Sequence, residues 1–138
     1  MGLVGYAPGV YDMFHIGHLN ILRRASEHCD YLIAGVVEDD VVTKIKGRPP
    51  VVPHDERMEV VRAIGLVDEV VSDWSSDKFE MWKQLRYDVL FKGDDWKGTE
   101  KGLRLEKLLG EVGARVHYFP YTASTSSTDL RRLLEGTS

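Results

Sequence analysis

Apolar positions along the chain fall into five short runs, and between them apolar residues recur every three or four positions. The runs predict strands at Leu3–Ala7, Tyr31–Val37, Glu69–Val71, Asp88–Lys92 and Arg115–Phe119. The other segments predict helices at about 17–29, 54–65, 77–86, 100–112 and 127–135. Alternating strands and helices favour parallel strands joined by right-handed crossovers. We therefore predict a small doubly wound, Rossmann-like α/β fold, with about five parallel strands and helices on both faces, as a single domain over residues 1–138.

The spacing of apolar residues also predicts which helix faces are buried. In the first helix, Leu22, Ala25 and Cys29 share one side, and in the second, Val60, Ile64 and Val67 form a similar stripe. The second strand is apolar along its whole length, which is typical of a sheet covered on both faces.

Composition narrows the class of protein. The chain has 138 residues, 43% of them apolar and 29% charged, which suffices for a normal core. It has no apolar run long enough to span a bilayer, no apparent secretory signal and one cysteine, so we expect a cytoplasmic protein without membrane insertion, disulfide or cysteine-built metal site. A formal net charge of −4 argues against a nucleic-acid partner. An anionic small ligand would need a local cluster of basic groups.

The strongest candidate for chemistry is the tetrapeptide His15-Ile16-Gly17-His18. It holds two of the five histidines, at the point where the first strand gives way to a helix. Helix N-termini at strand ends bind phosphate in open α/β sheets. Residues i and i+3 lie on one side of a helix, so both imidazoles can donate hydrogen bonds to the same phosphate. Gly9, just upstream, would let the backbone approach the ligand.

Three further groups could complete an anion site. Lys44 and Lys46 follow the second strand and could reach a triphosphate from the same sheet edge. Gly93 allows a tight exit from the fourth strand, and Asp94 or Asp95 could orient a ligand hydroxyl or help to hold magnesium. The hydroxyl-rich segment 124–128 leads into the last helix and could form a second anion site. Neither a P-loop nor a G-x-G-x-x-G motif is present.

Together these pieces resemble the H-x-G-H nucleotidyltransferases, and most closely the glycerol-3-phosphate cytidylyltransferases. The matching pieces run nearly end to end: Gly9–Asp12, His15–His18, Lys44 with Lys46, Arg57, Val67–Val70, Gly93–Trp96 and Thr125–Thr128. The tetrapeptide alone is less specific, since class I aminoacyl-tRNA synthetases carry it too, but those enzymes are much longer.

The resemblance implies a reaction and a set of roles. A phosphorylated alcohol, glycerol 3-phosphate by preference, would attack the α-phosphorus of CTP with Mg²⁺ present, and pyrophosphate would leave. The implied catalytic residues are His15, His18, Lys44 and Lys46. The implied nucleotide-binding residues are Gly9, Val10, Tyr11, Gly17, Arg57, Gly93, Asp94, Tyr121, Thr122, Ser126, Ser127 and Thr128. The implied acceptor-binding residues are Asp12, Lys44 and Trp74; no residue is assigned as a metal ligand, and relatives imply a homodimer.

Two departures from the family pattern leave alternatives open. Val10 and Tyr11 stand where the family usually has threonine and phenylalanine, and Tyr121 stands where it has an arginine of the nucleotide site. Transfer from ATP therefore remains an alternative to CTP. Phosphocholine, phosphoethanolamine or a sugar phosphate are alternative acceptors. A nucleotide-binding regulatory module is the non-enzymatic alternative.

Overall fold

The computed structural model describes residues 2–120 and 127–135, which form strands β1–β5 and helices α1–α6. The strands are β1 Val4–Gly9, β2 Tyr31–Val37, β3 Glu69–Asp73, β4 Val89–Gly93 and β5 Arg115–Phe119. The helices are α1 Ile16–Glu27, α2 Asp39–Lys46, α3 His54–Arg62, α4 Lys78–Leu85, α5 Glu100–Glu111 and α6 Ser127–Glu135, with a 3-10 turn at Asp94–Trp96.

All five strands lie in one parallel sheet, in the order β3-β2-β1-β4-β5. This confirms the predicted doubly wound fold. The chain moves outward from β1 to β3 on one side and then returns to place β4 against the other side of β1. The order thus reverses between β1 and β4, and ligands of open α/β sheets bind at the carboxyl ends of the strands at such a reversal.

Two apolar cores sandwich the sheet. Helices α1 and α3 cover one face, where Leu22, Ala25 and Val61 pack on strand residues such as Phe91. Helices α4 and α5 cover the other face, with Met81, Leu105 and Leu109 packed on Tyr6, Ile33 and Leu90. Because successive strand residues point to opposite faces, neighbours such as Leu90 and Phe91 serve different cores. Within the described ranges, no helix is long and apolar enough to cross a membrane.

Helix α2 was not predicted from the pattern. It has eight residues and buries only Val41 and Val42, so its apolar periodicity is too short to detect. Its ends carry local signals: Asp39 and Asp40 lie in the first turn, and Gly47 adopts a left-handed φ of 79° as the C-cap. Lysines 44 and 46 therefore lie on the last turn of a helix.

The predicted buried face of the second helix is wrong at Val60 and confirmed at Ile64 and Val67, which pack against the core. Val60 is 45% exposed, whereas Val61 and Arg57 are buried. The prediction failed because the helix buries an arginine, and a hydrophobic pattern cannot signal a buried charge. The face predicted for α1 is confirmed at Leu22 and Ala25, which are fully buried, and Cys29, just beyond the helix, packs against the same core.

Candidate active site

A cavity of about 590 Å³ opens at the carboxyl ends of the central strands. It lies where β1 leads into α1, beside the end of β4, and the residues that follow β5 and begin α6 complete its wall. Ten of the predicted site residues line it: Val10, Tyr11, Asp12, His15, Gly17, His18, Lys46, Gly93, Ser127 and Thr128. Its volume is in the usual range for a small-molecule site.

The two histidines are held by the backbone at the start of α1. His15 is the N-cap, and its Nδ1 accepts a hydrogen bond from the Gly17 amide at 3.0 Å. Nδ1 of His18 accepts from the His15 amide at 3.2 Å, and the two ring centroids are 4.1 Å apart. Because each Nδ1 accepts, the proton of each neutral ring lies on Nε2. The two rings therefore present two Nε2–H donors side by side.

Both rings are biased toward the neutral form. Burial lowers the pKa of His15. The pKa of His18 is lowered to about 4, first by burial and then by the positive ends of His15 and Lys46, with Asp12 opposing. At neutral pH the pair therefore offers hydrogen-bond donors without the cost of burying two adjacent positive charges.

Ser127 connects α6 to this pair. Its hydroxyl donates to the Asp12 carbonyl oxygen at 2.6 Å and lies 3.3 Å from Nε2 of His15. Since the hydroxyl proton is used on the carbonyl, the serine oxygen is placed to accept from Nε2–H of His15. The contact joins the first helix of the chain to the last described one.

The turn before α1 has an unusual backbone. Tyr11 and Met13 both have left-handed φ values, of 54° and 49°, which side-chain-bearing residues rarely adopt. Tyr11 is buried, and its hydroxyl donates to the Ala7 carbonyl oxygen at 2.8 Å. Its ring centroid lies 5.5 Å from that of His18, so Tyr11 supports the histidine ring.

Asp12 lies between those two strained residues and is 4% exposed. Its Oδ2 and Oδ1 accept from the amides of Val51 and Val52 at 2.8 and 2.9 Å. Arg131 of α6 also reaches Oδ2 at 3.2 Å. Asp12 thus ties the β1–α1 turn to the α2–α3 loop and to α6. Its role in acceptor binding stays a prediction.

Arg57 lies behind the cavity wall and does not line the cavity. Its guanidinium donates to the carbonyl oxygens of Val52, Val10 and Val37 at 2.7–2.8 Å. It also forms a 2.6 Å ion pair with Asp39. It thus holds the ends of β1 and β2 and the start of α2 together, and nucleotide binding by Arg57 stays a prediction.

Two arginines of the cavity were not singled out from the sequence. Arg48 and Arg131 line it beside Lys46. Arg48 pairs with Glu135 at 3.1 Å, and Arg131 also donates to the Pro49 carbonyl oxygen at 3.1 Å. Arg131 follows Ser127 by four residues, so helical spacing already places both on one face. That spacing was the signal that could have identified it.

Several predicted residues lie elsewhere. The cavity lining does not include Gly9, Lys44, Trp74 or Asp94. Trp74 follows β3, is 45% exposed and donates to Gln84 at 2.9 Å. Asp94 is exposed and begins the 3-10 turn. Tyr121, Thr122 and Ser126 lie outside the described residues.

The residues of the cavity can be compared with the ligands that the predicted Mg²⁺ ion would need. Among residues 2–120 and 127–135, no cluster of three or more histidine, cysteine, aspartate or glutamate side chains is placed to hold a metal ion. The carboxylate that lines the described cavity, Asp12, has both oxygens in contact with protein donors. Mg²⁺ commonly binds through substrate phosphates and keeps several waters. The donor set fits an ion held mainly by a triphosphate.

Comparisons with known proteins show the family and the fold of this chain. A model of the family described as cytidylyltransferase-like matches residues 6–133. A FAD synthase from Pyrococcus horikoshii is 42% identical over 130 residues, which span 92% of this chain and 86% of that protein. An ethanolamine-phosphate cytidylyltransferase from Arabidopsis thaliana is 37% identical over 130 residues, 91% of this chain but only 30% of that protein. A lipopolysaccharide core biosynthesis protein from Thermoplasma volcanium shares the fold at 21% identity, with a TM-score of 0.74 over 91% of this chain and all of that one.

Proposed function

Because this chain belongs to the cytidylyltransferase-like family, we propose that it transfers CMP from CTP to a phosphorylated alcohol, with glycerol 3-phosphate as the favoured acceptor. The observation that carries the proposal is the pair of neutral histidines at the head of α1, both with the proton on Nε2, in a cavity that Lys46 also lines. Phosphoryl transfer needs positioning and charge stabilisation more than a protein nucleophile.

The proposed step is a direct in-line displacement. An oxygen of the acceptor phosphate forms a bond to the α-phosphorus, and the bond from that phosphorus to the bridging oxygen breaks. Pyrophosphate leaves with the electron pair, so no covalent intermediate on the protein is needed. Nε2–H of His18 donates to a phosphate oxygen on which negative charge accumulates, and Nε2–H of His15 does the same once the ligand replaces Ser127 as its acceptor.

The basic residues of the cavity then hold the phosphates. Lys46 supplies a mobile point charge from the end of α2, and Arg48 and Arg131 supply further positive charge beside it. The N-terminus of α6, with Ser127 and Thr128, faces the same cavity and offers a second anion site. Lys44, two residues before Lys46 on α2, remains a proposed contact to the acceptor.

Asp12 and Arg57 act in this proposal as positioning residues. Asp12 holds the α2–α3 loop and Arg131 against the histidine turn, and Arg57 holds the strand ends beneath it. Bound Mg²⁺ would neutralise triphosphate charge and assist the departure of pyrophosphate. A homodimer, predicted from the resemblance, is also carried forward as a proposal, to be tested by analytical ultracentrifugation.

A second candidate function is adenylyl transfer from ATP. It is favoured by the FAD synthases among the relatives, which match over most of this chain. In that case the acceptor would be a phosphorylated flavin, and the same histidines and basic residues would act on the α-phosphate of ATP. The two candidates share the site and differ in base and acceptor.

A pyrophosphate-release assay separates the candidates. Each of the four common NTPs is combined with glycerol 3-phosphate, phosphoethanolamine, phosphocholine, a sugar phosphate or FMN, in the presence of Mg²⁺. We expect release with CTP and glycerol 3-phosphate. Release with ATP and FMN alone would establish the second candidate instead. Binding of CTP without release from any pair would favour a regulatory module and overturn the proposal.

A further inference from the structure

A second cavity, of about 500 Å³, lies at the same edge of the sheet but on the face covered by α4 and α5. Ile45 of α2 lines it, whereas Val42 and Lys46, on the other side of the same helix, line the first cavity. The turn that follows β4 also runs between them, with Gly93 in the first cavity and Trp96 in the second. The two cavities are therefore neighbours, separated by the last turn of α2.

The second cavity is basic. Lys78, Lys101 and Arg104 line it, against the single carboxylate of Asp77 among the described lining residues. Asp77 is already used as the N-cap of α4, where it accepts from the Phe79 amide. No ion pair joins Lys101 or Arg104 to a carboxylate within the described part of the chain. These two charges are therefore available to a ligand.

Two lysines at the base of the cavity, Lys78 and Lys92, already contact other groups of the protein. Lys78 contacts Asp73 at 3.1 Å, and Asp73 also accepts from the Tyr6 hydroxyl at 2.5 Å. Lys92 places its Nζ 3.8 Å from the centre of the Trp96 ring. Burial and the nearby Lys78 lower the pKa of Lys92, while Asp95 and Asp73 act in the opposite direction. A cationic ligand would add to this concentration of positive charge.

The cavity also has an apolar wall. Trp96, Leu105 and Leu108 line it together with Ile45, which is 61% exposed. Gly102 makes this wall possible, because a Cβ there would lie 2.0 Å from the Trp96 carbonyl oxygen. Helix α5 can therefore lie directly against the 3-10 turn and bring Lys101 and Arg104 to the tryptophan.

We propose that the second cavity receives the part of the acceptor remote from its phosphate, and that its basic and apolar lining admits a neutral or anionic group there and excludes a cationic one. The proposal deepens the proposed function and rests on it. Three observations support it: the shared wall at α2, the available charges of Lys101 and Arg104, and the apolar surface around Trp96. The same charges select against acceptors with a cationic head, such as phosphoethanolamine.

The charge preference can be tested without catalysis. Naphthalene-1-sulfonate and 1-naphthylmethylammonium are aromatic probes of similar size and opposite charge. Each is titrated into the full chain while the indole N–H signal of Trp96 is followed by NMR, assigned with Trp96→Phe. We expect the sulfonate to shift this signal and to bind about tenfold or more tightly than the ammonium probe. Equal binding, or tighter binding of the cation, overturns the proposal.

Variants then test whether Lys101 and Arg104 cause the preference for the anionic probe. The double variant Lys101→Ala/Arg104→Ala is expected to lose about tenfold in sulfonate affinity. Lys107→Ala is the matched control, because Lys107 is an exposed lysine of the same helix that does not line the cavity. Unchanged sulfonate binding in the double variant, or an equal loss in the control, overturns the proposal.

An activity measurement connects the cavity to the acceptor. In the wild type, glycerol 3-phosphate should exceed phosphoethanolamine about tenfold in kcat/KM, and the double variant should bring this ratio toward one. An unchanged ratio overturns the link to the acceptor. Absence of turnover with every NTP and acceptor would instead contradict the proposed function, while the naphthalene titration would still test the cavity.

Discussion

The two edges of one parallel sheet use their charged side chains in different ways. At the amino edge, Asp30, Asp68 and Asp88 each accept from a backbone amide near the start of a neighbouring strand, at 2.7–2.8 Å. At the carboxyl edge, two cavities are lined by lysines and arginines. Charge at the amino edge therefore completes the fold. At the carboxyl edge several charges are also paired within the protein, but Lys46, Lys101 and Arg104 form no ion pair within the described residues.

The difference follows from the direction of the strands. In a parallel sheet the helix that follows each strand starts at the carboxyl edge, so amide groups with no partner inside the helix gather there. Asp12 is a carboxyl-edge residue whose charge is already used by backbone groups of the protein. It accepts from the amides of Val51 and Val52 as the amino-edge aspartates do. It therefore contributes structure to a region otherwise open to ligands.

The largest expected effect tests the carboxyl edge. His15→Asn should lower kcat by about 10²- to 10³-fold, the scale of a lost oxyanion donor. The asparagine oxygen can still cap α1 in place of Nδ1, so the free energy of unfolding should change little. Activity is measured by pyrophosphate release and stability by urea denaturation. His28→Ala, at an exposed histidine outside the cavity, is the control. An active His15→Asn variant would remove the histidine pair from the mechanism.

The next effect tests a charged residue of the carboxyl edge whose partners are all groups of the protein. Arg57→Lys should reduce the free energy of unfolding by roughly 2–3 kcal/mol, because a lysine cannot reproduce the contacts to three carbonyl oxygens and Asp39. The KM for the nucleotide, measured on the folded fraction, should change less than about threefold. A large rise in nucleotide KM at unchanged stability would show instead that Arg57 contacts the ligand.

A smaller effect is expected at the amino edge. Asp88→Ala leaves the Val4 amide without its acceptor and should cost about 1 kcal/mol of unfolding free energy. The kcat of the folded enzyme should stay within about twofold of the wild type, because no ligand contact is lost. Glu27→Ala, at an exposed carboxylate near the same edge, should affect neither quantity. A selective loss of kcat in Asp88→Ala would break the contrast between the edges.

The smallest expected effect is the change of stability with pH that the His18 ring causes. Since the pKa of His18 is lowered to about 4 from an ordinary 6.5, its ring should keep the neutral, Nε2-protonated form between those two values. The unfolded chain then binds more protons than the folded one in that range, so stability should fall as pH drops from 6.5 toward 4. NMR titration of the His18 ring protons measures this directly. Titration near 6.5 would contradict the buried, donor-only role.

The sequence predicted more of the fold than of the side-chain roles. Strong periodicity identified the five strands and five of the six helices that the described residues form, and it missed α2, whose eight residues bury only two valines. The H-x-G-H turn predicted the position of the site because strand ends and helix starts meet at one edge in this topology. Arg48 was missed because it becomes a neighbour of α6 only when the α2–α3 loop meets that helix, whereas Arg131 was missed although its spacing from Ser127 was a local signal.

By itself, the sequence determined the alternation of strands and helices, the edge of the sheet at which the described cavities open, and the histidine pair, since all three depend on local spacing. Only the tertiary structure decided how individual polar groups are used. Arg57 and Asp12 have their charges engaged by backbone groups, whereas Lys46 lines the cavity and Lys101 and Arg104 face a second one. The physical reason is that the partner of a buried charge is set by long-range packing, which no local pattern encodes.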